Sequence, residues 1–257
     1  MHVQDLFDLR GKVSIVTGGG RGLGLALAEG LAEAGSNIVI CSRKESNCHE
    51  AAQRIERTGV RAVGVGCDIT QPEDISKLRD FALKEFGKID ILINNSGATW
   101  GAPTEDYPIE GWKKVIDVNV TGTFFCSQII GKTMIEKGGG KIINISSIFG
   151  GVGCKSEVMD AIAYNTSKGA MEAFTKDLAV KWAKHRVYVN AIAPAFIETE
   201  MTHVTMEEGR VHILSHVPMG RFGLPDDLKG AVVFLSSAAS DYMTGTVLFV
   251  DGGYRAM

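Results

Sequence analysis

The sequence predicts an α/β chain: one domain over residues 1–257, built on a doubly wound, seven-stranded parallel sheet with helices on both faces. Three observations carry that expectation. Short, β-branched apolar runs alternate with longer amphipathic stretches along the chain, the pattern of doubly buried strands joined by crossover helices. The first run enters a glycine-rich turn, a helix and a second run within about thirty residues, which is a βαβ unit. The 257 residues, 45% of them apolar, suit one large domain, and no repeat, low-complexity tract or linker divides them.

Val13 to Val16 reads as the first strand and ends at Thr17-Gly18-Gly19-Gly20-Arg21-Gly22-Leu23-Gly24. An amphipathic helix follows through Ala34, with Gly35 as its cap. Glycines at this turn let backbone N–H groups approach a pyrophosphate at a helix N-terminus, where the dipole favours anions. A tight turn without a ligand is the alternative, but strand and helix stand on the correct sides for dinucleotide binding. Asn37 to Cys41 is the second strand and runs into Ser42-Arg43-Lys44. An NAD-binding unit places a carboxylate near this point to hold the ribose hydroxyl. Here Ser42 and Arg43 stand instead, with Arg21 in reach from the glycine turn. Two guanidiniums and a hydroxyl suit a 2′-phosphate, so NADP(H) is preferred and NAD(H) stays open. Either arginine alone would read as a solvated charge.

Glu45 to Arg57 is the second helix, ended by Thr58-Gly59, and Arg61 to Gly66 the third strand. Asp68, after that strand, can accept from an adenine amino group or belong to the turn before a helix starting near Pro72 and running to Phe86. Asp90 to Ile93 is the fourth strand and enters Asn94-Asn95-Ser96-Gly97. The amides there can satisfy loop backbone groups, and Gly97 allows close backbone approach. Ile109 to Glu136 reads as one long helical stretch with Asn119 among apolar residues, a poor interior helix former that needs partners if buried. A satisfied core amide and a water-holding site residue fit that spacing equally. Gly138-Gly139-Gly140 breaks the helix, and Lys141 to Ile145 is the fifth strand. Ser146 and Ser147 follow at its C-terminal end, where ligands sit in open α/β sheets.

A loop from Phe149 to Asp160 leads to a helix carrying Tyr164 and Lys168. Four apart, the two share one helix face. A free phenol titrates near ~10, and an adjacent ammonium favours the phenolate, so the pair is expected to act as an acid/base near neutrality with Ser147 beside it. Tyr-x-x-x-Lys alone is a weak signal, and a surface helix carries it by chance in most chains. Val187 to Ala193 is the sixth strand, stopped by Pro194. The stretch 196–220, without strong periodicity, reads as a substrate lid. Its His203, His212 and His216 lack zinc spacing. Pro225 starts the last helix, through Leu235, and Val247 to Val250 is the seventh strand.

Lys and Arg number 27 against 30 Asp and Glu, a net charge of −3, which gives no support to a nucleic-acid partner. Cys41, Cys48, Cys67, Cys126 and Cys154 form no Cys-x-x-Cys pair and read as reduced, buried thiols of a cytoplasmic protein. Met1 to Arg10 lacks the apolar core of a signal peptide, and no apolar run reaches the ~18 residues of a membrane span, so no membrane partner is expected.

Together the Thr17–Gly24 turn, Asp68, Asn94 to Gly97, Asn119, Ser147, Tyr164-x-x-x-Lys168 and Pro194 to Thr199 resemble the classical short-chain dehydrogenase/reductase family, over nearly the whole chain. The resemblance implies a Rossmann fold and a hydride transfer between nicotinamide and a ketone or secondary alcohol. It makes Tyr164 the general acid or base and sets Ser147 on the substrate oxygen. Lys168 would hold the nicotinamide ribose and depress the phenol, and Asn119 would anchor a water for proton return. The implied cofactor set is Gly18, Gly20, Arg21, Gly22, Leu23, Gly24, Ser42, Arg43, Asp68, Ile69, Asn95, Gly97, Tyr164, Lys168, Pro194, Ile197 and Thr199. A homotetramer is implied as well.

Three departures stand out: 17 positions separate Ser147 and Tyr164, so the 150–162 loop is extended; Ala195 replaces a common Gly; Ser96 replaces a common Ala. Thr99 to Pro103 with Tyr107-Pro108 and Gly111-Trp112 resembles reductases of 3-oxoacyl thioesters. Leu6 to Lys12 is closer to sugar-acid dehydrogenases such as gluconate 5-dehydrogenase, whose double arginine after Asn-Asn-x-Gly is missing. A 3-oxoacyl-type ketoreductase is the expectation, with the sugar-acid enzyme and a non-catalytic NADP(H)-binding sensor or scaffold as alternatives.

Overall fold

The computed structural model describes residues 2–156, 158–199 and 210–257, so His203 and the middle of the expected 196–220 lid lie outside it. Seven segments pair in parallel: β1 (Val13–Thr17), β2 (Asn37–Ser42), β3 (Ala62–Gly66), β4 (Ile91–Asn94), β5 (Gly140–Ile145), β6 (Val187–Pro194) and β7 (Val247–Val250). Their order in the sheet is β3-β2-β1-β4-β5-β6-β7. The order reverses between β1 and β4, which opens a crevice at the carboxyl ends of those two strands.

Alternate side chains of each central strand face opposite layers. Val16, Ile38, Ile40 and Ile93 pack against α2 (Gly22–Glu33), α3 (Glu45–Glu56) and α9 (Lys229–Ser236). Ile15, Val39, Leu92 and Ile142 pack against α4 (Pro72–Phe86), α6 (Thr123–Glu136) and α7 (Ile162–Trp182). Both faces are therefore dry, which is why the strands read as continuous apolar runs. Short helices α1 (Val3–Leu6), α5 (Ile109–Ile116) and α8 (Arg210–Leu214) complete the α-helices of the described residues.

Three expected boundaries differ. The stretch from Ile109 to Glu136 is not one α-helix: a π-helical segment, Asp117–Gly122, separates α5 from α6 and contains Asn119. Within it Gly122 packs closely on Ile69, whose Cδ1 would lie 2.7 Å from an added Cβ, and Asn119 Nδ2 donates to the Ala98 carbonyl. Pro194 does not stop β6 but is its last residue, paired with Val250. Pro225 opens a 3₁₀ turn, Pro225–Leu228, before α9 begins.

Candidate active site

The glycine turn sits at the mouth of the crevice. Gly18 and Gly22 have φ of +64° and +55°, which side-chain-bearing residues adopt only with strain. Gly24 lets α2 pack on the turn: a Cβ there would lie 2.3 Å from the Gly18 carbonyl oxygen. Gly20 lies against Asn47, and Leu23 packs on the layer beneath. The first turn of α2 has neither a side-chain cap nor an acidic residue, so its N–H groups and dipole are available to an anion. Arg21 and Arg43 flank it, exposed, and among the described residues neither guanidinium has an ion-pair partner. A cavity of about 350 Å³ continues from Arg43 along Asp68, Thr70, Lys114, Asp117 and Val118. Unpaired guanidiniums, an uncapped helix start and an adjoining cavity fit a dinucleotide with a 2′-phosphate.

On this side, Ser42, Asn95 and Asp68 of the expected cofactor set have hydrogen-bond partners within the protein. Ser42 Oγ donates to the Lys44 carbonyl at 3.1 Å and lies 3.0 Å from Cys48 Sγ, so its proton is directed into its own turn and away from a phosphate. Asn95 is built into the floor. Its Nδ2 donates to the carbonyls of Thr17 and Gly18 at 3.0 and 3.2 Å, and its N–H to Thr17 Oγ1 at 3.0 Å. Asp68 serves its turn, Oδ1 accepting from Thr70 N–H and Oγ1 at 3.0 and 2.8 Å, while still lining the cavity. Ile69 is buried against Gly122, and Gly97 is exposed, with Asn119 Oδ1 3.5 Å from where a Cβ would stand. Pro194 and Ile197 are buried at the end of β6, and Thr199 is half-buried beyond them.

On the other side of the crevice, β5 delivers Ser147 and α7 delivers Tyr164 and Lys168. Ser147 is 6% exposed, and its Oγ accepts from Phe149 N–H at 3.3 Å, which leaves the hydroxyl proton to be donated. Ser146 Oγ instead donates to the Lys168 carbonyl at 3.3 Å, so of the two serines it is the structural one. Lys168 is 5% exposed, its Nζ donates to the Ile145 carbonyl at 2.7 Å, and it lies 5.3 Å from the Tyr164 ring centroid.

Burial dominates the titration of this centre and corrects an expectation. It pushes the Tyr164 phenol up, with a hydrogen bond from Ser147 working the other way, and it pushes Lys168 down to about 8. The depression of the phenol by its neighbouring ammonium does not arise in the protein alone, because both charged forms lose hydration.

Asn119 is fully buried and held on all sides. Its Oδ1 accepts from Ala98 N–H at 2.7 Å, and its Nδ2 donates to the Ala98 carbonyl at 3.0 Å and to Ser167 Oγ at 2.8 Å. Ser167 in turn donates to the Tyr164 carbonyl at 2.7 Å. Both amide protons of Asn119 are thus on protein atoms. Asn119 ties the loop after β4 to the catalytic helix. Sequence reasoning passed over Ser167, whose only signal was its place directly before Lys168.

Among the described residues no group of three or more His, Cys, Asp or Glu could hold a metal, and no helix is long and apolar enough to cross a membrane.

Fold and site together define a dinucleotide-binding protein with a serine–tyrosine–lysine centre at the switch point of its sheet. The family model described as enoyl-(acyl carrier protein) reductase matches residues 18–255, and the chain belongs to the short-chain dehydrogenase/reductase family. It is 37% identical over 254 residues to the 5-keto-D-gluconate 5-reductase of Escherichia coli K12, covering 98% of each chain. It is 40% identical over 246 residues to the 3-oxoacyl-[acyl-carrier-protein] reductase of Aquifex aeolicus, covering 95% of this chain and 98% of that one. The crystal structure of a gluconate 5-dehydrogenase from Burkholderia cenocepacia in complex with NADP and tartrate superposes with a TM-score of 0.94 at 36% identity, over all of both chains.

Proposed function

We propose that the protein is an NADP(H)-dependent oxidoreductase that interconverts a ketone and a secondary alcohol, with a 3-oxoacyl thioester as the ketone. The observation that carries this reading is the centre made by buried Ser147 and Lys168 with half-buried Tyr164, at the carboxyl end of β5, two strands along the sheet from the glycine turn that follows β1. Arg21, Arg43 and the start of α2 would hold the adenosine phosphates, and Ile197 and Thr199 the nicotinamide end. When bound, the nicotinamide supplies or accepts the hydride. Ser147 donates to the substrate oxygen, a bond that strengthens as negative charge develops there. In the reductive direction Tyr164 gives its proton to that oxygen, and in the oxidative direction it takes one. Lys168 lies beneath as the neighbouring cation, and Asn119, through Ser167, fixes the helix turn that carries both.

The aromatic wall formed by Phe149, Phe196 and Tyr254, whose centroids are 5.6–6.4 Å apart, supports an acyl substrate over a polyol. Trp100, seated on Gly111 under Lys114, occupies the loop where the double arginine of the sugar-acid enzymes is missing. The sugar-acid reading keeps its place because the E. coli relative is a ketogluconate reductase. Residues 196–220 are proposed as the segment over the substrate. A cytoplasmic homotetramer belongs to the same reading, with exposed Phe124 on α6 and Val180 on α7 suiting helix-to-helix contact. A panel of acetoacetyl thioester, 5-ketogluconate and simple diketones, each with NADPH and NADH, tests it. Fastest turnover of the thioester with NADPH is expected, while turnover of none with either cofactor overturns the enzyme reading in favour of the sensor.

A further inference from the structure

The stretch that follows β6 toward the nicotinamide end is held by a clamp that lies far along the chain. Gly223 forms a parallel bridge with Ile197: its N–H donates to the Phe196 carbonyl at 2.9 Å, and its carbonyl accepts from Glu198 N–H at 2.8 Å. The two segments approach closely there: a Cβ on Gly223 would lie 2.5 Å from Ile197 Cδ1 and would push the end of that side chain aside. Gly223 is fixed from both flanks by one ion pair. Arg221 Nη1 and Nη2 donate to Asp227 Oδ2 and Oδ1 at 2.7 and 3.1 Å, in fork geometry. Nη1 also donates to the Phe222 carbonyl at 2.9 Å, and Leu224 N–H donates to Asp227 Oδ2 at 2.8 Å. The pair therefore grips the backbone on both sides of Gly223. The bridge then sets Phe196, whose ring lies 5.7 Å from that of Phe149, the residue whose N–H orients Ser147. The same residues line a cavity of about 190 Å³ beneath Phe196 and Ile197.

We propose that Arg221 and Asp227 are positioning residues that act as one unit, holding Phe196 to Thr199 in the place needed to bind the nicotinamide end of the cofactor. This rests on the reading that the crevice takes NADP(H). An isolated half-exposed ion pair adds little to stability. This one has work to do on the backbone, so its loss is read in cofactor affinity and local order more than in global unfolding.

The test compares wild type with Arg221→Ala, Asp227→Ala and the double variant. NADPH affinity is measured by fluorescence titration, and amide exchange at Glu198 and Gly223 is followed in the cofactor-free protein. Each single change is expected to weaken NADPH binding about five-fold and to speed exchange at both amides. The double variant should be no worse than about two-fold beyond the poorer single, where independent residues would multiply. KM for NADPH should rise with kcat at saturating cofactor nearly unchanged. Unchanged affinity and exchange in the single variants, or effects that multiply, would overturn the proposal. If an alanine variant does not fold, Arg221→Lys carries the test: a smaller change in the same direction supports the clamp, and none overturns it. Wild type that fails to bind NADPH would defeat the cofactor reading instead, and the exchange rates still judge the clamp.

Discussion

Lys168 offers a quantitative handle on the site. Its pKa falls from 10.5 to about 8 on burial. Below the folded value the lysine is charged in both states. As pH rises through about 8 the folded lysine loses its proton while the unfolded one keeps it, so unfolding takes up a proton and stability increases, at about 1.4 kcal/mol per pH unit. The gain is complete above the unfolded value and totals about 3 kcal/mol over the 2.5 units between them. The perturbation that isolates it is Lys168→Met, of similar length and without a proton. Burial also lowers the pKa of Lys141, but that residue is common to both proteins and cancels. Urea unfolding of both proteins at about pH 7 and about pH 9.5 gives the measurement. The stability of wild type relative to the variant should rise by about 2 kcal/mol between those pH values. A flat difference would show that the ammonium is hydrated in the folded state, and the buried centre described above would be wrong.

Asn119→Ala removes three buried hydrogen bonds and strands both backbone groups of Ala98, so a loss of about 2–4 kcal/mol by denaturant unfolding is expected, with lower turnover at unchanged substrate range. A loss under about 0.5 kcal/mol would contradict the tie between the β4 loop and α7. Arg21→Ala with Arg43→Ala should raise KM for NADPH about ten-fold or more and leave NADH little changed, since each charge-assisted bond to a phosphate contributes roughly 1.5–3 kcal/mol. Equal effects on both cofactors would remove the 2′-phosphate from the account.

Much of this was legible in the chain itself. The β-branched runs marked all seven strands because a sheet covered on both faces demands them, and the glycine turn was recognisable by its flanks. The Tyr164–Lys168 spacing placed both on one face of α7. What escaped depended on distant partners. The π segment leaves the apolar spacing of Ile109 to Glu136 almost unaltered, so periodicity gave no warning. The inward turn of Ser42 depends on Cys48 lying beside it, and the upward shift of Tyr164 on the depth of its burial. Arg221 and Asp227, six positions apart in an irregular stretch, carry no local signature, and their importance comes from the bridge they flank.

The central claim is that one phenol transfers the proton. The most direct measurement is NADPH oxidation by Tyr164→Phe against wild type on the best ketone of the panel, with NADPH affinity determined for both. The account expects turnover to fall about 10²- to 10⁴-fold while NADPH still binds. Turnover equal to wild type with cofactor binding intact would contradict it.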